Sequence, residues 1–371
     1  MVDTNNHVEA CSRLVTHKLP VSQDGVMKMR MIRLFGLLTL IISVSFVNSF
    51  GQRIVSYDKR FDKLLLKDST LEKVADGFGW AEGPVWSYKD DALLISDVIN
   101  NTIYRISKDG RVDVVLKPSG YTGAAPFTGR EPGSNGLVFD RIGRLYLNQH
   151  GNRRVAMIDL NGRVVPVAET FEGKRFNSPN DLVFKSNGDL YFTDPPFGLP
   201  KVLDDPGKEL PFQGVYRVSK DGKVTLLTKE VEFPNGIAFS PDEKTLYISN
   251  ADRNNAVWYA FDVKGDGMLG SKRVIFNVND LAKSKPGVPD GMKVDKNGYL
   301  FAAAPGGIHV IDPKQGKLLG SFEFDSATAN CAWGEGGSVL YITSNSAVYR
   351  IRLNTNGARL NNTMIFRDLR F

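Results

Sequence analysis

Phe233-Pro-Asn-Gly-Ile-Ala-Phe-Ser-Pro-Asp-Glu-Lys-Thr-Leu-Tyr-Ile-Ser-Asn250 reads as a short strand, a Pro-Asp turn, a second strand and a polar loop, with Asn235 heading the first strand. The phrase recurs along the chain. Glu82-Gly-Pro-Val-Trp86 precedes Leu93-Leu-Ile-Ser-Asp97, and Asn135-Gly-Leu-Val-Phe139 precedes Leu145-Tyr-Leu-Asn148. Asn180-Asp-Leu-Val-Phe184 precedes Leu190-Tyr-Phe-Thr-Asp194, and Asp290-Gly-Met-Lys-Val294 precedes Leu300-Phe-Ala-Ala303. Asn330-Cys-Ala-Trp333 precedes Leu340-Tyr-Ile-Thr-Ser344. The chain thus holds six copies, each led by Glu, Asn or Asp.

The leading residues are spaced by 53, 45, 55, 55 and 40 positions. Each copy continues with an alternating segment such as Thr102–Ser107, Gly214–Ser219 or Ala347–Arg352, and most add a Gly-bearing turn and a fourth strand. Four short strands per repeat of this length is the signature of a propeller blade. The expected fold is therefore all-β, a six-bladed β-propeller with a central metal site. Thr70–Ala75 precedes the first copy as fourth strands precede the later ones, so it is expected to complete the last blade and close the ring, which removes free sheet edges. Met364–Leu369 is the alternative for that place.

The 371 residues are 42% hydrophobic and 24% charged, enough to bury a large core. Lys28, Arg30 and Arg33 precede an apolar run of 14 residues, Leu34–Val47, followed by Asn48, Ser49 and Gly51. This is the layout of a secretory signal, and it is short for a membrane span of about 20 residues. The expected organisation is a signal over 1–51, with a true start at Met27, Met29 or Met31, and a single propeller domain over 52–371. A secreted or periplasmic product without stable membrane insertion follows. Loss of 1–51 removes five basic and three acidic residues from the formal +6, leaving +4, too modest to indicate a nucleic-acid partner. Of the two cysteines, Cys11 and Cys331, only Cys331 would remain, so neither a disulfide nor a zinc knuckle is expected.

In a blade the first strand lines the central channel and the second returns to the same face, so the six leading residues gather at one mouth. The loops after second strands, with His150 and Asp194, should surround them, as should two long connections, Lys117–Ser134 and Pro195–Gln213. Glu82 and Asp290 are carboxylates; Asn135, Asn180, Asn235 and Asn330 are amides. Hard divalent cations take such oxygens, whereas no His, Cys or Met occupies a leading position. One Asn-Gly is ordinary turn chemistry; six oxygen donors in phase are not.

Ala81-Glu-Gly-Pro-Val-Trp86, Ser178-Pro-Asn-Asp-Leu-Val183, Phe233-Pro-Asn-Gly236 and Pro289-Asp-Gly-Met292 resemble the regucalcin (senescence marker protein)/gluconolactonase/LRE-like family, from about Thr70 to Arg352. Thr193-Asp-Pro-Pro-Phe-Gly-Leu199 is similar to its gluconolactonase-like branch. The resemblance implies one divalent ion, Ca²⁺ with Zn²⁺, Mg²⁺ or Mn²⁺ as alternatives, held by Glu82, Asn235 and Asp290. Asn180 is implied beside them as ligand or substrate contact, and Asp290 as the acid/base. Regucalcin-type members carry a substrate-binding Arg where this chain has Ser178, so their sugar-acid specificity is not carried over.

The expected reaction is hydrolysis of a lactone or related ester, with the ion polarising the carbonyl and Asp290 acting as base or nucleophile. His150 is a second catalytic candidate, to position substrate or relay a proton. Asn180, Asn135 and Asp194 are substrate-binding candidates, with Asp194 alternatively buttressing its loop. Arg153 and Arg154 read as solvated surface or as contacts to a product carboxylate, His309 as structural, Cys331 as buried and inert. The alternatives are a phosphotriesterase-like hydrolase on the same ion and a binding or scaffold propeller with a structural ion. No Gly-x-Ser-x-Gly or His-Glu-x-x-His occurs, and Gly265-Asp-Gly-Met-Leu-Gly270 lies between strands with no helix after it, which excludes a dinucleotide site.

Overall fold

The computed structural model describes residues 51–159 and 161–358. The apolar segment read as a secretion signal, Cys11 and the alternative strand at Met364–Leu369 lie outside the described residues. Glycines at the turns between third and fourth strands take left-handed backbone, with φ of 84° at Gly110, 76° at Gly162 and 84° at Gly222, a region that costs other residues about 1–2 kcal/mol. Those tight turns return each chain segment antiparallel onto itself.

Among the described residues the result is six four- or five-stranded antiparallel sheets in sequence order, with a two-stranded ribbon of Thr170–Phe171 and Lys174–Arg175 beside them. The first is built of Ala81–Ser87, Ala92–Asp97, Thr102–Ile106 and Val112–Leu116, and the fourth of Pro234–Phe239, Thr245–Asn250, Val257–Val263 and Leu269–Asn277. The sixth sheet holds Thr328–Gly334, Val339–Ser344 and Ala347–Arg352, and its outer strand is Glu72–Asp76 from the other end of the domain, paired Glu72 with Arg350 and Asp76 with Ala347. This is the closure expected from the sequence. The fifth sheet has a fifth strand that the sequence reading did not foresee: Arg53–Ser56 pairs with Lys317–Glu323.

Second strands are buried along all or nearly all of their length, as in Ala92–Asp97, Leu190–Asp194 and Val339–Ser344, because they are covered on both faces by neighbouring blades. The core accordingly consists of one buried cluster per seam. Leu94 and Ile103 meet Leu137 and Leu147 between the first and second blades. Tyr341 and Val348 meet Leu93 and Ile95 between the sixth and first, where Trp86 stacks on Tyr341 at 5.3 Å. Helix is confined, among the described residues, to Lys59–Asp62, Asn279–Ser284 and two short 3₁₀ turns. None is long and apolar enough to cross a membrane.

Candidate active site at the channel mouth

Register shifts interrupt the first strands at Glu82/Val85, Ser134/Leu137, Pro234/Ile237 and Thr328/Asn330. These bulges fall on or beside the leading residues: Asn135 and Asn235 drop out of the ladder, while Glu82 stays opposite Ser96 and Asn330 opposite Thr343. The residue after a leading position is packed against the next blade. A Cβ on Gly83 would lie 2.0 Å from the Asn135 carbonyl oxygen, and one on Gly236 2.3 Å from that of Asp290. The repeated Asn-Gly is therefore a requirement of close approach between blades. In the third blade Asp181 stands in place of that glycine and adds a carboxylate to the ring.

The leading side chains are all buried: Glu82 is 2% exposed, Asp290 9%, and Asn135, Asn180, Asn235 and Asn330 are likewise enclosed. Glu82 accepts from the Gly83 amide at 2.7 Å and from Asn330 Nδ2 at 3.3 Å. Asp290 Oδ1 accepts from the Gly291 amide at 2.9 Å. Burial, then repulsion from Glu82 and Asp181, pushes the Asp290 carboxyl well above its ordinary range. Burial and Asp181 push Glu82 in the same direction. Burial raises Asp181 too, against the pull of the Lys293 ammonium. Lys293 donates to the Met292 carbonyl and to Asn330 Oδ1, at 3.1 and 3.3 Å. Asn135 Oδ1 and Asp181 Oδ2 are buried without any partner. No three His, Cys, Asp or Glu side chains among the described residues form a ready metal cage, so a cation here depends on amide oxygens as well. Repelling buried carboxylates with unpartnered hard oxygens beside them fit a divalent cation.

The ends of the second strands hold the backbone just ahead of the leading residues. Asp97 accepts from the amides of Gly79 and Trp80, and Asn250 from that of Phe233. Asp194 does the same for Asn177 and Ser178, at 2.9 and 2.8 Å; burial nonetheless pushes it up to about 7. Both Asp194 oxygens are engaged by backbone, which fits the buttressing alternative.

His150, after the second strand of blade two, is fully buried, and its Nδ1 lies 3.1 Å from Glu131 Oε2 in the connection before that blade. Gly198, in the other long connection, packs on it: a Cβ there would lie 2.6 Å from His150 Cβ and 2.8 Å from Ser178 Cβ. Ser178 donates to the Pro195 carbonyl at 2.6 Å and accepts from the Gly198 amide at 2.9 Å, pinning that connection down.

Arg153 is not solvated surface. It is 7% exposed and donates to the carbonyls of Phe176 and Gly207, tying two segments together, while Arg154 bonds Gln149 and Glu169. His309 is buried and its ring is lowered to about 4 by that burial. Cys331 is fully buried, its thiol pushed up to about 12. Two surface hollows of ≈400 and ≈410 Å³ lie elsewhere, around Arg350 and around Tyr146, and neither holds a leading residue. The sequence reading missed Asp181, Lys293 and Glu131; only Asp181 left a signal, as the break in the Asn-Gly pattern.

The SMP-30/gluconolactonase/LRE-like region matches residues 80–346. A gluconolactonase of Zymomonas mobilis is 37% identical over 311 residues, covering 82% of this chain and 87% of that protein. A solved gluconolactonase from Xanthomonas campestris is 31% identical with a TM-score of 0.70, covering 81% of this chain and 94% of that one. A calcium-binding regucalcin from Agrobacterium tumefaciens shares the fold, with a TM-score of 0.60 at 19% identity over 78% of this chain and 95% of that one. The match takes in all six leading residues, and this chain belongs to the SMP-30/gluconolactonase/LRE-like family.

Proposed function

We propose that the protein is a metal-dependent lactonase acting on a sugar lactone. The carboxylic-ester hydrolase class is carried by the gluconolactonase relatives, which the chain covers over most of their length. The observation that carries the metal is the buried set of Glu82, Asp181 and Asp290, each driven toward its protonated form, beside unpartnered amide and carboxylate oxygens.

Glu82, Asn180, Asn235 and Asp290 would hold one divalent ion, Ca²⁺ by the chemistry of the donors, and when bound it supplies polarisation of the lactone carbonyl. Asp290 has one oxygen fixed by the Gly291 amide, leaving the other to take the proton of the attacking water. The water oxygen bonds to the carbonyl carbon, the ring C–O bond breaks, and the proton held by Asp290 passes to the ring oxygen, which leaves as the new hydroxyl. Asn135, with its Oδ1 unpartnered, is the amide best placed to contact substrate. Asp194 holds the backbone ahead of Asn180 rather than the substrate.

A panel of sugar and aliphatic lactones, assayed with added Ca²⁺ and after chelation, tests this reading. Turnover of a sugar lactone that is lost with chelator and restored by Ca²⁺ is expected. No turnover of any lactone by the Ca²⁺-loaded protein would move the assignment to a binding propeller with a structural ion.

A further inference from the structure

The connection over residues 117–134 is stitched to the end of the second strand of blade two. Gln149 Nε2 donates to the Ser119 carbonyl at 2.8 Å and the His150 amide to Gly133 at 3.1 Å, while within the connection the Tyr121 amide donates to Pro132 at 2.6 Å. Glu131 is therefore held at a fixed place beside the imidazole. Its carboxylate is the rim group whose charge reaches both Glu82 and Asp290, adding to the repulsion on each. Gln149 pairs with Ser134, the residue before Asn135, which sets the Glu131–His150 pair at the same mouth as the ring.

Beside an ionised carboxylate, which only accepts, a neutral imidazole at 3.1 Å carries its proton on Nδ1, and its Nε2 is then a bare acceptor. It is buried, and the protein offers it no partner. Gly198 closes over the Cβ side of the same residue, so the ring is confined by both long connections.

We propose that Glu131 fixes His150 as the Nδ1–H tautomer, so that Nε2 accepts a hydrogen bond from a ring hydroxyl of the lactone and selects polyhydroxylated lactones over plain ones. This rests on the lactonase reading above. A substrate without that hydroxyl leaves a buried acceptor unpaired, and sites built around such a bond reject the analogue strongly. Glu131 acts here as a positioning residue and His150 as the substrate contact.

The test compares kcat/KM for D-glucono-1,5-lactone and for δ-valerolactone, the same ring without hydroxyls, in the Ca²⁺-loaded wild type and in Glu131→Ala and Glu131→Gln. The ratio of the two is expected to fall about 10–100-fold in Glu131→Ala, with the greater part of the change in KM for the hydroxylated lactone. Glu131→Gln, whose amide oxygen can still accept from Nδ1–H, is expected to keep part of the ratio. ¹⁵N spectra of the imidazole should show a single Nδ1–H tautomer in the wild type and a mixture in Glu131→Ala. An unmoved ratio, an equal loss on both lactones, or an unchanged tautomer in Glu131→Ala would each overturn the proposal. Absence of turnover of either lactone by the wild type would bring down the lactonase reading and this inference with it; turnover with an unmoved ratio brings down this inference alone.

Discussion

Asn330 Nδ2 donates to Glu82 Oε2 at 3.3 Å, joining the last blade to the first at the mouth of the channel. The partners are 248 residues apart in sequence, so the contact exists only in the closed ring. The same amide accepts from Lys293 through Oδ1, which places an ammonium on the carboxylate cluster. The site and the closure of the fold are thus coupled.

That coupling predicts how stability depends on pH in the metal-stripped protein. A carboxyl raised in the folded state keeps a proton that the unfolded chain has released, so stability falls as pH rises toward the folded value. Glu82, Asp181 and Asp290 act in this sense, as does Asp194 up to about 7. His309, lowered to about 4, acts oppositely but is silent above its unfolded value of 6.5. Between pH 6.5 and 8 the chelated protein should lose about 1.4 kcal/mol per pH unit for each extra proton the fold holds. Thermal unfolding with chelator should therefore show Tm falling over that window, and saturating Ca²⁺ should flatten it.

Closure itself is tested at the seam between the sixth and first blades. Trp86 is 4% exposed and stacks on Tyr341 at 5.3 Å. Trp86→Ala should cost about 3–5 kcal/mol in chemical denaturation. A loss below about 1 kcal/mol would mean that this seam relaxes around the cavity.

The connection over 195–213 is predicted to depend on the missing side chain at Gly198. Gly198→Ala puts a methyl within 2.6 Å of His150 Cβ, which must move the loop or the imidazole. Activity on a sugar lactone should drop about 10-fold or more, since small displacements of positioned groups are costly to rate. Circular dichroism should show the blades unchanged.

Cys331 is predicted to be inert. Its thiol is fully enclosed and pushed up to about 12, and its Sγ donates to the Phe301 carbonyl at 3.3 Å. Thiolate, the reactive form, is then scarce at neutral pH. Iodoacetamide should label the protein only after denaturation; labelling of the native protein would contradict the placement.

The blades were legible because strand periodicity and turn glycines repeat in phase, and six echoes of Asn235 outweigh any single motif. The closing strand Glu72–Asp76 was legible for the same reason. Arg53–Ser56 was not, since it adds to a blade that is already complete. The leading residues were legible from the phase of the repeat, but the reason for the glycine behind most of them, close contact between blades, was not. Asp181, in that glycine's place in the third blade, went unnoticed for the same reason. Lys293 sits in the short strand Met292–Val294 and Glu131 in a connection without periodicity, and both are placed only by the closed ring. Arg153 looked solvated because a sequence does not show which carbonyls converge on a guanidinium.

The most direct test of the central claim is the hydrolysis rate of D-glucono-1,5-lactone by wild type and Asp290→Asn, both folded and assayed at saturating Ca²⁺. Loss of the general base should lower kcat by about 10²–10⁴-fold. An Asp290→Asn protein that hydrolyses the lactone at the wild-type rate would contradict the account.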